Sequence, residues 1–236
     1  MSKTGIDQDA LVQMFSQATA KQGEALRKAV SEATLKALQG RELSLQNIRG
    51  VLKTVTKAAS SGLAQNATPE LDVEALLGKA FAGMDAALLQ TVEANRRALQ
   101  QFVDQGADLQ AKQLKSALAD LERMEDVFFA TVTKAAQAAA EPLQGPWEHV
   151  LESMKLKGTA TGTQATATVE QLMSQAQTAL REGRAASLKA AQALMDSYSA
   201  LVSGVLIGLA EGMEQGRAEA APGPASGSSS GASRAR

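Results

Sequence analysis

Cysteine is absent from the 236 residues, and histidine occurs once, as His149. That removes disulfides, thiolate nucleophiles, cysteine zinc sites and any multi-histidine metal cluster. Aromatic side chains are nearly as scarce, with five Phe, one Tyr and one Trp. Each would bury roughly 150–250 Å², so a chain this poor in them has a thin core or an extended shape, and a large enzyme domain with a deep pocket is disfavoured. Proline occurs only at 69, 142, 146, 222 and 224, each where a helix should start or stop. Long hydrophobic runs are missing too. Ala200–Ala210 has 11 residues interrupted by Ser203, Gly204 and Gly208, against about 20 for a bilayer-spanning helix, so no transmembrane span is expected. Met1–Phe15 carries Asp7 and Asp9 and no long apolar core. Neither a signal nor a transit peptide is therefore expected, and the expected localisation is cytoplasmic.

What is present is helix-forming. Ala (46), Leu (28) and Gln (21) fill 95 positions, and few β-branched runs compete. The net charge of −1 hides an asymmetry, because residues 1–68, 69–146 and 147–236 carry +4, −5 and 0. That favours the first segment lying against the second rather than against nucleic acid. The basic residues of the first segment, such as Arg27, Lys36, Arg49 and Lys53, are interleaved with Glu24, Glu32 and Glu42, and the pI is about 6.0. No nucleic-acid partner is expected.

Residues 1–66 read as a helical hairpin. Thr68-Pro69-Glu70 reads as a cap, a first-turn proline and an acid at the positive end of a new helix. From there a stripe runs through Leu77, Phe81, Met84, Leu88, Val92, Asn95, Leu99, Phe102, Gly106, Leu109, Gln113, Ala117, Leu121, Met124, Phe128, Val132, Ala135 and Ala139. Its 17 steps cover 62 residues, about 3.65 per step, so it stays straight along an ordinary α-helix. Residues 68–141 are read as one long amphipathic helix, about 108 Å if unbroken from Glu70, with Gly106 the alternative break. Pro142 and Gly145-Pro146 end it and open a short helix that stops at Gly158, and Thr159–Thr166 reads as a flexible loop within 142–166. A last helix spans 167–219, and 220–236 is a disordered tail. The expected fold is all-α: an elongated, coiled-coil-like bundle of long amphipathic antiparallel helices.

No catalytic residue, cofactor or metal ligand is nominated. His149 has no positioned nucleophile beside it, so it reads as a surface or structural histidine. Asp120, Glu122, Glu125 and Asp126 lack calcium-loop spacing and read as a solvated helix face. The candidate helix-packing or surface-binding residues are Leu77, Phe81, Met84, Leu88, Leu99, Phe102, Leu121 and Phe128 of the stripe. Gly204, Gly208, Gly212 and Gly216 join them, four glycines at steps of four. In a helix these cost about 0.8–1 kcal/mol each relative to Ala, which close helix packing or insertion into a lipid or polymer surface would offset. A frayed helix end is the third reading.

Ala80–Leu89, Ala94–Leu99 and the Pro/Ala/Ser tail, together with size and composition, make the chain similar to the phasins, helical proteins that coat bacterial polyhydroxyalkanoate granules. The resemblance covers mainly residues 70–140 and transfers no single functional residue. It implies non-catalytic coating of a granule and self-association through long helices. Read from the residues alone, an amphipathic helix packs either on other helices or on an apolar lipid or polymer surface. The alternative function is therefore a cytoplasmic helical scaffold that binds proteins.

Overall fold

Alanine-rich segments punctuated by short polar caps become separate helices. The structure, a computed structural model, describes residues 7–20, 23–39, 44–66, 71–104, 112–181, 202 and 204–207. Among them the chain forms α1 (Gln8–Ala20), α2 (Gly23–Leu38), α3 (Leu45–Gln65), α4 (Val73–Asp104), α5 (Lys112–Glu122), α6 (Met124–Ala136), α7 (Glu141–Lys157) and α8 (Ala160–Arg181), with no strand. A further helical stretch covers 204–207. The protein is an all-α bundle with one continuous hydrophobic cluster drawn from all eight helices and from Val202 and Leu206.

Helix starts follow local chemistry. Asp7 and Asp72 each accept the N–H of the residue three ahead, Ala10 at 3.1 Å and Ala75 at 2.9 Å, and Ser44 accepts that of Asn47 at 3.3 Å. Each satisfies one of the donors a helix leaves unpaired at its start. At the other end of α7, Gly158 has φ 72°, a left-handed conformation open to glycine, and the helix stops there as expected.

Several boundaries differ from the expected ones. The N-terminal segment holds three helices rather than a hairpin, since α1 and α2 are separate elements. Residues 67–70 lie outside the described residues, and α4 starts at Val73 behind the Asp72 cap, not behind Thr68. The single long helix over 68–141 is not formed. On one straight helix Phe81 and Phe128 would lie about 70 Å apart, yet their rings stack with centroids 4.5 Å apart. The chain therefore reverses between Phe81 of α4 and Phe128 of α6, α4 ends at Asp104, residues 105–111 with Gly106 lie outside the described residues, and the helix is interrupted at Arg123. α6 ends at Ala136, well before Pro142, and α7 begins at Glu141 and carries Pro146 inside it. Thr159–Thr166 is not a loop: it is the start of α8, preceded by the capping Thr159. The tail at 220–236 lies outside the described residues.

Not all neighbours are antiparallel. Gly23 faces Leu76 and Lys79, and Gly83 faces Arg27 and Val30, so α2 and α4 run side by side in the same direction. This pair makes the most extensive helix–helix contact in the molecule, followed by α1 with α3, α4 with α8, and α3 with α6. The first charged segment does lie against the second, through α2·α4 and α3·α6.

Candidate functional site

All eight nominated stripe residues are inside. Leu77, Met84, Leu88, Leu99, Phe102 and Phe128 have no exposed surface, and Phe81 and Leu121 have 1%. The fold brings them together from α4, α5 and α6 by doubling the stripe back on itself. Phe81 also lies 5.6 Å from the Phe129 ring, so three phenylalanines form one cluster between α4 and α6. Beside it runs a buried polar chain. The Trp147 indole N–H donates to Ser60 Oγ at 3.0 Å, Ser60 donates to the Thr56 carbonyl at 2.9 Å, and the Thr56 hydroxyl donates to Met84 sulfur at 3.4 Å. Trp147, fully buried, is thereby supplied with the partner that its ring nitrogen needs.

Several other buried polar groups are satisfied within their own helices. Thr19, Thr34, Thr54 and Thr91 donate to the carbonyl four residues back at 2.7–3.1 Å, and the Asn95 amide does the same to Thr91 at 2.9 Å. This back-bonding lets a hydroxyl face an apolar neighbour without asking anything of it.

Small residues make close approaches at two glycines outside the glycine repeat. A methyl added at Gly83 would strike the Arg27 carbonyl oxygen of α2, and one at Gly62 would come within 2.9–3.0 Å of Ser16 N and Phe15 Cβ of α1. Gly204 is exposed and an added methyl there meets nothing within 4 Å. Gly208, Gly212 and Gly216 lie outside the described residues.

Sequence reasoning missed the clamp that holds the start of α8. Glu125 of α6 accepts the Thr159 N–H at 3.0 Å and the Thr159 hydroxyl at 2.6 Å. Asp85 of α4 accepts the N–H groups of Ala160 and Thr161 at 3.0 Å each, and its carbonyl accepts the Thr161 hydroxyl at 3.0 Å. Two carboxylates from two helices thus cap a third, where exposed N–H groups and the helix dipole favour negative charge. Gly162 sits directly against the Glu125 carboxyl, leaving no room for a side chain unless that carboxyl moves. The signal available in the sequence was Gly158-Thr159, a stop followed by a cap residue. The acids that complete it lie 34 and 75 residues away. Glu125, read as part of a solvated face, is half-buried.

The remaining charges belong to the surface. Glu93 is held at a pKa of about 2, first by its hydrogen bonds from Arg96 and further by Arg97. Glu24 bridges Arg27 and Lys79 between α2 and α4, and their side-chain hydrogen bonds, Lys79 first, lower its pKa. Burial pushes the Asp120 carboxyl up, an effect that Arg123 and Arg49 partly oppose. His149 is exposed, with Nδ1 3.3 Å from Glu74 Oε2. Among the described residues no group of three or more His, Asp or Glu is placed to hold a metal ion, and no helix is long and apolar enough to cross a membrane. What the arrangement can do is hold a long apolar surface covered by other helices of the same chain.

The model of one family, described as a family of unknown function (DUF6781), matches residues 1–215. No curated protein and no solved structure matches the chain.

Proposed function

The chain belongs to the DUF6781 family, and for this member we propose a non-catalytic role: an amphipathic helical protein that coats an apolar surface, such as a polyhydroxyalkanoate granule, by opening its bundle. The observation that carries this is where the buried hydroxyls bond. Thr19, Thr34, Thr54 and Thr91 are each satisfied within their own helix. Separating the helices leaves these four bonds intact, and the polar contacts it breaks are those such as Trp147–Ser60, Thr56–Met84 and the bonds at the start of α8. The stripe of α4, α5 and α6 exchanges burial against helices for burial against the surface, and the backbone bonds stay intact.

The test is binding of the full chain to polyhydroxybutyrate particles and triglyceride emulsions, set against a charge-matched helical control. Binding with unchanged helicity, accompanied by altered Trp147 fluorescence as the indole leaves Ser60 and the core, is the expected result. Particle binding no greater than the control's overturns the coat. A helical scaffold that binds proteins through its polar outer faces is the second reading. It is favoured by the burial of all eight nominated stripe residues in the closed bundle.

A further inference from the structure

α8 is attached differently from the rest of the bundle. Its buried face is Thr161, Gly162, Ala165, Thr168 and Leu172, flanked by the partly buried Val169, Met173 and Ala176, so among its described side chains one large apolar residue is fully covered. One of these buried groups is unfavourable where it stands, because Thr168 is 1% exposed and its hydroxyl has no hydrogen-bond partner among the described residues. Against that stand the five hydrogen bonds from Thr159, Ala160 and Thr161 to Asp85 and Glu125. Gly158, with φ 72°, supplies the corner immediately before them. α8 lies mainly along α4, and it also touches α5 and α6. These are the three helices that carry the stripe.

We propose that α8 is a strap over the stripe, latched by Asp85 and Glu125 and pivoting at Gly158, and that its release is the step that opens the bundle. The sequence of opening rests on the coat reading above; the latch itself does not. Lifting α8 uncovers the apolar flank of α4, lets water reach the Thr168 hydroxyl and leaves α1–α7 packed. The strap packs along α4 through Ala165, Leu172 and the partly buried Val169, Met173 and Ala176, and its first turn is pinned by a few charge-assisted bonds.

Amide hydrogen exchange on the full chain, resolved by helix, tests this with two variants of opposite sign. Glu125→Ala removes two of the five bonds and should speed exchange in α8 by about tenfold to a hundredfold, with α2 and α4 unchanged. Thr168→Val removes the orphan hydroxyl at constant shape and should slow exchange in α8. Uniform acceleration of every helix in Glu125→Ala, or no slowing of α8 in Thr168→Val, overturns the latch. Binding to triglyceride emulsions is then measured on the same proteins. Selective release of α8 with stronger emulsion binding supports both latch and coat. Selective release with no gain in binding supports the latch and overturns the coat.

Discussion

α4 and α8 are both long helices, and they are held by opposite means. α4 buries 16 of its 32 residues, among them Leu77, Phe81, Met84, Leu88, Leu99 and Phe102. Among its described side chains α8 covers one large apolar residue fully, Leu172, with Val169, Met173 and Ala176 partly covered, and it adds carboxylates at its first turn. At about 25 cal/mol per Å² of apolar surface, the first kind of attachment sums over many side chains and makes α4 the element the others assemble on. The second is concentrated at one end. The difference teaches that helix length and alanine content by themselves say little about how firmly a helix is held.

The sharpest way to break the comparison is to put a charge in each helix. Phe102→Asp removes a fully buried ring, which alone costs about 3–5 kcal/mol, and leaves an unpaired buried carboxylate. The whole chain should lose its cooperative melting transition. Leu172→Asp should abolish protection in α8 while circular dichroism and thermal melting still report a folded remainder. Gln101→Ala and Glu122→Ala, at exposed positions, should leave Tm within error of the parent. Loss of the whole fold in Leu172→Asp would show that α8 is as central as α4.

Glycine substitutions probe the same contrast more gently. Gly83→Ala forces a methyl onto the Arg27 backbone carbonyl, which cannot move without shifting α2, and overpacking of this kind costs about 1–3 kcal/mol. Gly162→Ala meets only the end of the Glu125 side chain. The carboxyl can swing aside, so the loss should be smaller and confined to α8. Chemical denaturation read by Trp147 fluorescence, together with exchange in α8, measures both.

A smaller effect is expected from Glu93 on α4. Its folded pKa of about 2 lies below the ordinary 4.5, so the stability it contributes is present above pH 4.5 and is lost as pH falls from 4.5 through 2. Full linkage sets a ceiling of about 3 kcal/mol, and helix ion pairs at this spacing usually reach only about 0.3–0.5 kcal/mol each. In Glu93→Gln the acid slope of stability should flatten, and an unchanged slope would show that Arg96 and Arg97 do not hold the carboxylate. Least of all, Gly204→Ala should raise stability by up to about 1 kcal/mol, since the added methyl meets nothing and alanine is the better helix former. A loss of stability there would reveal a close approach at Gly204 that the closed bundle lacks.

Much of the buried set was legible because periodicity reports which side of a helix is apolar, and Leu77 through Phe102, then Leu121 and Phe128, all lie inside. The same periodicity is silent about direction. A stripe that continues and a stripe that doubles back between α4 and α6 have the same spacing, so the meeting of Phe81 with Phe128 was not visible. Thr159–Thr166 was misread because glycine and threonine have weak helix propensity. Their helix is held by Asp85 and Glu125, which no local window contains.

By itself, then, the sequence determined an all-α fold, its apolar face, the stop at Gly158 and the burial of most of the described stripe positions, because these depend on residues within a few turns of one another. The tertiary structure alone decided that the stripe folds onto itself, that α2 and α4 run parallel through Gly83, and that two distant carboxylates seat the start of α8. Those outcomes depend on which surfaces meet. Residues far apart in the chain become neighbours only when the whole apolar face is buried at once.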